Sequence, residues 1–139
     1  GIVLIGPDAC KGETDVCAFF AGYVTGFKTV GKGSCVGGNS ACFSLGVHER
    51  RDAINNNDFE IRVGENSCTA PRACVNVNSN SQSDTVIGDA SCTAGFSCDR
   101  VGRESKFPVE IDDAICTTVE ECQECGYYNF SMCSSSETF

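Results

Sequence analysis

Cysteine is the residue with the most chemistry to offer in this chain, twelve thiols in 139 residues against a single histidine, His48. Regularly spaced thiols bind zinc, cycle redox equivalents or close disulfides. Zinc sites use C-x2-C knuckles completed by a second C-x2-C or H-x3-H half, and only Cys122 and Cys125 stand at that spacing. The same pair has no helix start or neighbouring base to lower a thiol pKa, so a redox centre is not expected either. An even cysteine count points to full pairing, which needs the secretory pathway or the cell exterior.

The remaining reactive side chains form no known constellation. His48-Glu49-Arg50-Arg51-Asp52 is the densest charge run, but no G-x-S-x-G, H-E-x-x-H or paired-carboxylate motif accompanies it, so a solvated loop is expected. Asn55-Asn56-Asn57-Asp58 and Asp112-Asp113 offer oxygens to calcium without the D-x-D-x-D-G loop, and such clusters commonly make turns. We therefore expect no enzyme, catalytic residue, cofactor or metal site. Asn129-Phe130-Ser131 is an N-glycosylation sequon and Asn66-Ser67-Cys68 its rarer N-x-C form, so covalent glycans are expected, at Asn129 above all. The stretches Ser79–Thr85 and Ser134–Ser136 are rich enough in hydroxyls for O-glycans, a composition shared by flexible turns.

The elements that position the cysteines are repeats. Ile5-Gly6-Pro7-Asp8-Ala9-Cys10, Val30-Gly31-Lys32-Gly33-Ser34-Cys35, Val63-Gly64-Glu65-Asn66-Ser67-Cys68, Ile87-Gly88-Asp89-Ala90-Ser91-Cys92 and Ile111-Asp112-Asp113-Ala114-Ile115-Cys116 align on [IV]-G-x-x-S-C. A second cysteine follows each at six or seven positions: Cys17, Cys42, Cys74, Cys98 and Cys122. Steps of 25, 33, 24 and 24 residues between first cysteines set a period of about 24, with one insertion in the second unit. The units lie near 1–26, 27–58, 59–82, 83–106 and 107–125, with 126–139 as a C-terminal cap or tail.

Apolar columns accompany the cysteines: Phe20, Leu45, Val77, Val101 and Cys125 stand three positions after the second cysteine. Alternation in Phe43-x-Leu45-x-Val47, Phe59-x-Ile61-x-Val63, Val75-x-Val77 and Phe107-x-Val109-x-Ile111 has the period of a strand, and predicts two short strands per unit. A unit this small buries its inward face only by stacking. The fold expected is all-β, a disulfide-stapled parallel β-solenoid of about five coils with a C-terminal cap. The recurrent glycine suits a corner where a side chain would clash or φ must be positive. In the fifth unit Asp112 and Ile115 replace the glycine and serine, so that coil is expected to be distorted.

The favoured connectivity closes each unit on itself, Cys10 with Cys17, Cys35 with Cys42, Cys68 with Cys74, Cys92 with Cys98 and Cys116 with Cys122, leaving Cys125 with Cys133. Each small loop contributes about 2.4 kcal/mol by loop-closure entropy. The alternative, a ladder between equivalent cysteines of successive coils, fits disulfide reach but strands the end cysteines.

The C-x5-C couple in register, with Thr69, Thr93 and Thr117 after the first cysteine, is similar to the disulfide-stapled β-solenoid antifreeze proteins of beetles. Those carry Thr-x-Thr in every coil; here a single threonine column covers three coils of five. The [IV]-G-x-x-S-C-x5-[AS]-C unit also resembles cysteine-rich repeats in extracellular proteins of microalgae and other protists, over roughly residues 4 to 125. That resemblance implies surface, wall or appendage material and carries over no catalytic residue.

A formal net charge of −9 disfavours nucleic acid and anionic membrane, and no apolar run approaches a membrane span. The opening Gly1-Ile2-Val3-Leu4-Ile5 has neither initiator Met nor basic leader, as expected of a processed chain or a piece of a longer one. Ile2, Val3 and Leu4 enter the first coil uncovered, while Tyr127, Tyr128, Phe130 and Phe139 make an aromatic tail; together they form the expected assembly surface. The function expected is a secreted structural protein whose copies join head to tail into a fibre or coat. The alternative is a secreted module that holds a glycan, mineral or ice surface on a solenoid face or on the 47–57 loop.

Overall fold

The computed structural model describes residues 3–12, 14, 16–17, 27–43, 60–76, 84–101 and 108–122, and the backbone of 132–133. These contain no helix and six short strands: β1 (Val3–Ile5), β2 (Lys28–Val30), β3 (Ile61–Val63), β4 (Thr85–Ile87), β5 (Val109–Ile111) and β6 (Met132–Cys133). All pair in parallel in chain order, so each strand lies one full turn of the chain above the last. This is the parallel β-solenoid. The second unit's extra length causes no slip in the sheet, since Lys28 still faces Ile61 and Val30 faces Val63. The segment after the fifth unit adds β6 to the sheet, with Cys133 paired to Ile111.

Period-two alternation builds the core. Ile61, Val63, Ile87, Val109 and Ile111 are at most 1% exposed, while Arg62 and Glu110 between them face solvent. Burying each such side chain contributes about 1.5–3 kcal/mol. Cysteines fill the other side of the same cluster, Cys35, Cys42, Cys68, Cys74, Cys92, Cys98, Cys116 and Cys122 all being buried. Of the apolar column beyond the second cysteine only Val101 falls among the described residues, and it is fully buried; Phe20, Leu45, Val77 and Cys125 lie outside them.

Two expectations need correction. Among the described residues each coil has one strand, not two. The segment between paired cysteines turns back on itself to bring their Cα atoms within 5.4–5.6 Å over six or seven positions. An extended strand of six residues spans ~20 Å. Ser40, Arg72, Phe96 and Glu120 take positive φ there, as do Asn76 and Arg100 just beyond the second cysteine. The arc still stacks like a sheet: Cys74 N donates to Ala41 O, Asn76 N to Phe43 O, Cys98 N to Ala73 O and Cys122 N to Ser97 O, each at 2.8 Å.

The fifth coil is also undistorted. β5 keeps β4's register, and Ala114, Cys116 and Glu120 repeat the positive φ of Ala90, Cys92 and Phe96. The cause lies in what the glycine is for. Positive φ falls two residues later, on Asp8, Gly33, Asn66, Ala90 and Ala114, and again on each first cysteine. The glycine column instead makes room for the next coil. A methyl on Gly31 would lie 2.5 Å from Gly64's carbonyl carbon, and one on Gly88 would lie 2.7 Å from Asp112's. Asp112 is exposed, and among the described residues only the two-residue β6 follows its coil in the sheet.

Two polar groups occupy the inner column. Thr85 Oγ1 is buried without a hydrogen-bond partner. Lys28 is 2% exposed, and burial pushes its ammonium below the ordinary 10.5. The folded chain therefore releases this proton at a lower pH than the unfolded chain does. Between the depressed value and 10.5 the unfolded state binds more protons, so stability rises with pH. Denaturant midpoints taken on approach to pH 10.5 should climb in wild type and lose that slope in Lys28→Met. The corner gives a second expectation: Gly31→Ala lowers stability by about 2 kcal/mol or more, and Asp112→Ala stays within about 0.5 kcal/mol. Guanidinium titration of the oxidised proteins measures both, and equal losses would contradict the corner argument.

Candidate functional site at the open first coil

The cysteines settle into structure first. The disulfides are Cys10–Cys17, Cys35–Cys42, Cys68–Cys74, Cys92–Cys98 and Cys116–Cys122, each within one unit. Successive bridges stack so closely that the sulfurs of Cys42, Cys68 and Cys74 lie within 4.8 Å of one another, as do those of Cys92, Cys98 and Cys116. Every one of these sulfurs is held in a disulfide, and a thiolate is what a metal or a redox partner requires. Cys122 is bonded to Cys116 rather than to its C-x2-C neighbour. The Cys125 side chain, that of Cys133 and any pairing between them lie outside the described residues.

The serine of the repeat is the second joint between coils. Ser34 Oγ donates to Gly64 O at 2.5 Å and accepts from Ser67 N at 2.9 Å. Ser67 Oγ does the same for Gly88 O at 2.7 Å and Ser91 N at 3.2 Å, and Ser91 Oγ for Asp112 O at 2.6 Å and Ile115 N at 3.3 Å. All three serines are fully buried. Coils two to four thus each grip the one after by a glycine that admits its backbone and a serine that bridges its carbonyl and amide, while coil one has the glycine and Ala9 in the serine's place. Carboxylates act in the reverse sense: Asp89 Oδ1 accepts from Glu65 N at 2.8 Å and Asp113 Oδ1 from Asp89 N at 2.7 Å. Coil five carries Asp112 and Ile115 in these two places and has neither device.

The first coil is open. β1 is the edge of the sheet, and Val3, Leu4 and Ile5 are 40%, 58% and 51% exposed, where the equivalents of Val3 and Ile5 in the next four coils are at most 2% exposed. Polar groups are left open with them. Ile61 N donates back to Phe27 O, and Gly6 N donates forward to Val30 O. By the same register Val3 N and Ile5 O face away from β2, toward the place a preceding coil would take. Beside them Lys11 Nζ bonds Asp8 Oδ1 at 2.5 Å and holds that exposed carboxyl below its ordinary value.

Of the expected assembly surface the structure places Val3 and Leu4 on this edge and adds Ile5, which sequence reasoning had assigned to the repeat alone. Ile2, Tyr127, Tyr128, Phe130 and Phe139 lie outside the described residues, as do Asn129, the His48–Asp52 run and Asn55–Asp58. In the N-x-C sequon Asn66 is exposed, Ser67 is buried and Cys68 is in a disulfide. Thr69 and Thr93 are half-buried and Thr117 exposed; Val36 and Lys11 take their place in coils two and one. No protein-family model, curated protein or solved structure matches this chain.

Ser67→Ala should cost about 1–3 kcal/mol, because it leaves the half-buried Gly88 carbonyl and the buried Ser91 amide without their bridge. Hydrogen exchange at Ser91 N should accelerate while the exchange of Cys122 N, one coil further on, is unchanged.

Proposed function

We propose that this chain is a non-enzymatic, extracellular structural protein whose copies join head to tail into a fibre or surface coat. One observation carries this reading: the inner apolar columns and strand hydrogen bonds that are closed between all other coils stand open at β1. An uncovered strand edge takes up another strand. The fitting partner is the opposite edge, β6, of a second copy. All six strands run parallel, so β6 laid on β1 continues the ladder in the same sense. Cys133 would then stand over Ile5 of the next copy, with Ser134, a small residue, at the corner. Such contacts translate from copy to copy without closing, and that geometry gives filaments.

Supporting features are the five disulfides, at home outside the reducing cytosol, and the absence of any helix among the described residues long and apolar enough to cross a membrane. The likeness to extracellular cysteine-rich repeats of microalgae and other protists agrees with wall or appendage material. An N-glycan on Asn129 fits the same compartment, and intact mass before and after glycosidase treatment measures it.

Electron microscopy of the purified chain should show filaments that lengthen with concentration. Val3→Pro removes an outward amide without touching the β2 pairing, and Ile5→Lys sets a charge in the open column; both should leave monodisperse monomers with unchanged disulfides. Wild-type protein that stays monomeric at high concentration, or edge variants that still form filaments, would sink the proposal.

A further inference from the structure

We propose that a groove across the first three coils binds a uronate-bearing polysaccharide segment, with the Arg72 guanidinium holding its carboxylate. The groove encloses about 500 Å³, and its lining includes Thr14 from coil one, Asn39 and Phe43 from coil two, and Arg72, Val75 and Asn76 from coil three. Its walls are tied by backbone rungs, Ser40 N to Thr14 O and Arg72 N to Asn39 O at 3.0 Å, and Asn76 N to Phe43 O at 2.8 Å. The bridges Cys35–Cys42 and Cys68–Cys74 close the same arcs. The site is therefore built before a ligand arrives, which removes the ordering cost of binding.

Its chemistry is that of a donor set. Thr14 Oγ1 donates to Asn39 Oδ1 at 2.7 Å, which engages the amide oxygen and leaves the amide nitrogen as the group's donor. The Arg72 guanidinium lies 5.0 Å over the centroid of the Phe96 ring, and no carboxylate among the described residues forms an ion pair with it. Among the described residues none that lines the groove is acidic. A planar guanidinium forks a carboxylate through two parallel hydrogen bonds. Half-buried Phe43 and the buried Val75 offer the apolar ground on which a sugar ring's flat face lies. Three coils cover two strand spacings, ~10 Å, enough for two linked sugar rings. The net charge of −9 opposes any polyanion at long range, but at physiological salt that field decays over ~8 Å and the local guanidinium prevails.

The test is calorimetric titration of the full chain with trigalacturonate and with the neutral trisaccharide of galactose, repeated on Val3→Pro so that assembly and sugar binding read out separately. Trigalacturonate should bind at least tenfold more tightly than the neutral sugar. Arg72→Gln should lose tenfold or more, Arg72→Lys less, and Asn39→Asp, an exposed change that sets a carboxylate in the groove, should abolish binding. Non-reducing peptide maps establish that each variant keeps its bridges. Absence of saturable binding, equal binding of both sugars, or unchanged binding by Arg72→Gln or Asn39→Asp would overturn the assignment.

Discussion

A separation of ~4.8 Å between hydrogen-bonded parallel strands is imposed on this chain at its corners as well as along its strands. Sheets usually relax at their ends, where loops splay apart and side chains fill the gap. Here the backbone of one coil passes directly over that of the next at the turn, so close that a methyl on Gly31 would meet the Gly64 carbonyl. The glycine column, the serine bridges and the aspartate contacts all serve that approach. So does the alternation of backbone conformation at the corner. Asn66 N donates back to Lys32 O and Cys68 N forward to Ser91 O, so a segment that is no strand bonds both neighbours.

The left-handed residues that make this alternation possible cost roughly 1–2 kcal/mol each when they are not glycine. Cysteine, alanine, phenylalanine and arginine adopt the conformation here, coil after coil. Inter-coil hydrogen bonds offset part of that cost: left-handed Asn66, Cys68, Arg72 and Cys92 each donate their amide to a neighbouring coil. The disulfides act on the other side of the balance: they lower the entropy of the unfolded chain, and their sulfurs occupy an interior too narrow for larger apolar side chains. The strand columns, the sulfur column and the corner are three parts of one solution to a thin core.

Much of this was legible in the chain itself. The period, the valine and isoleucine columns and the cysteine couples report burial directly, because identical residues recur at identical spacing. The second strand was misread for a physical reason: Val75 is buried from a turn of the arc, and a curled arc can send side chains inward as a strand does. Of the two reasons the glycine column offered, a clash and a positive φ, the structure keeps the clash; positive φ falls two residues later, where Ala90 and Ala114, unlike Asp8, Gly33 and Asn66, carry no local preference for it and stacking imposes it. Lys28 broke the apolar column without announcing its burial. The groove was not legible at all. Thr14, Asn39 and Arg72 belong to three units, and they meet only when the coils are laid on one another.

The joints between coils have a direction, and that bears on the two ends. Glycine and serine of one coil act on the next, while aspartate acts back on the one before. A coil can therefore be gripped from below without being able to grip above, which describes coil five, where Asp112 and Ile115 stand and, among the described residues, only the two-residue β6 follows in the sheet. At the other edge coil one keeps Gly6 and lays its backbone on coil two, while Val3 N and Ile5 O point away from β2 and, among the described residues, nothing covers Val3 and Ile5. The two edges of the described sheet are thus unlike in kind: on one the gripping glycine and serine are replaced, and on the other a strand faces outward. The direction of the joints, and not the strand ladder alone, is what makes one edge of the stack different from the other.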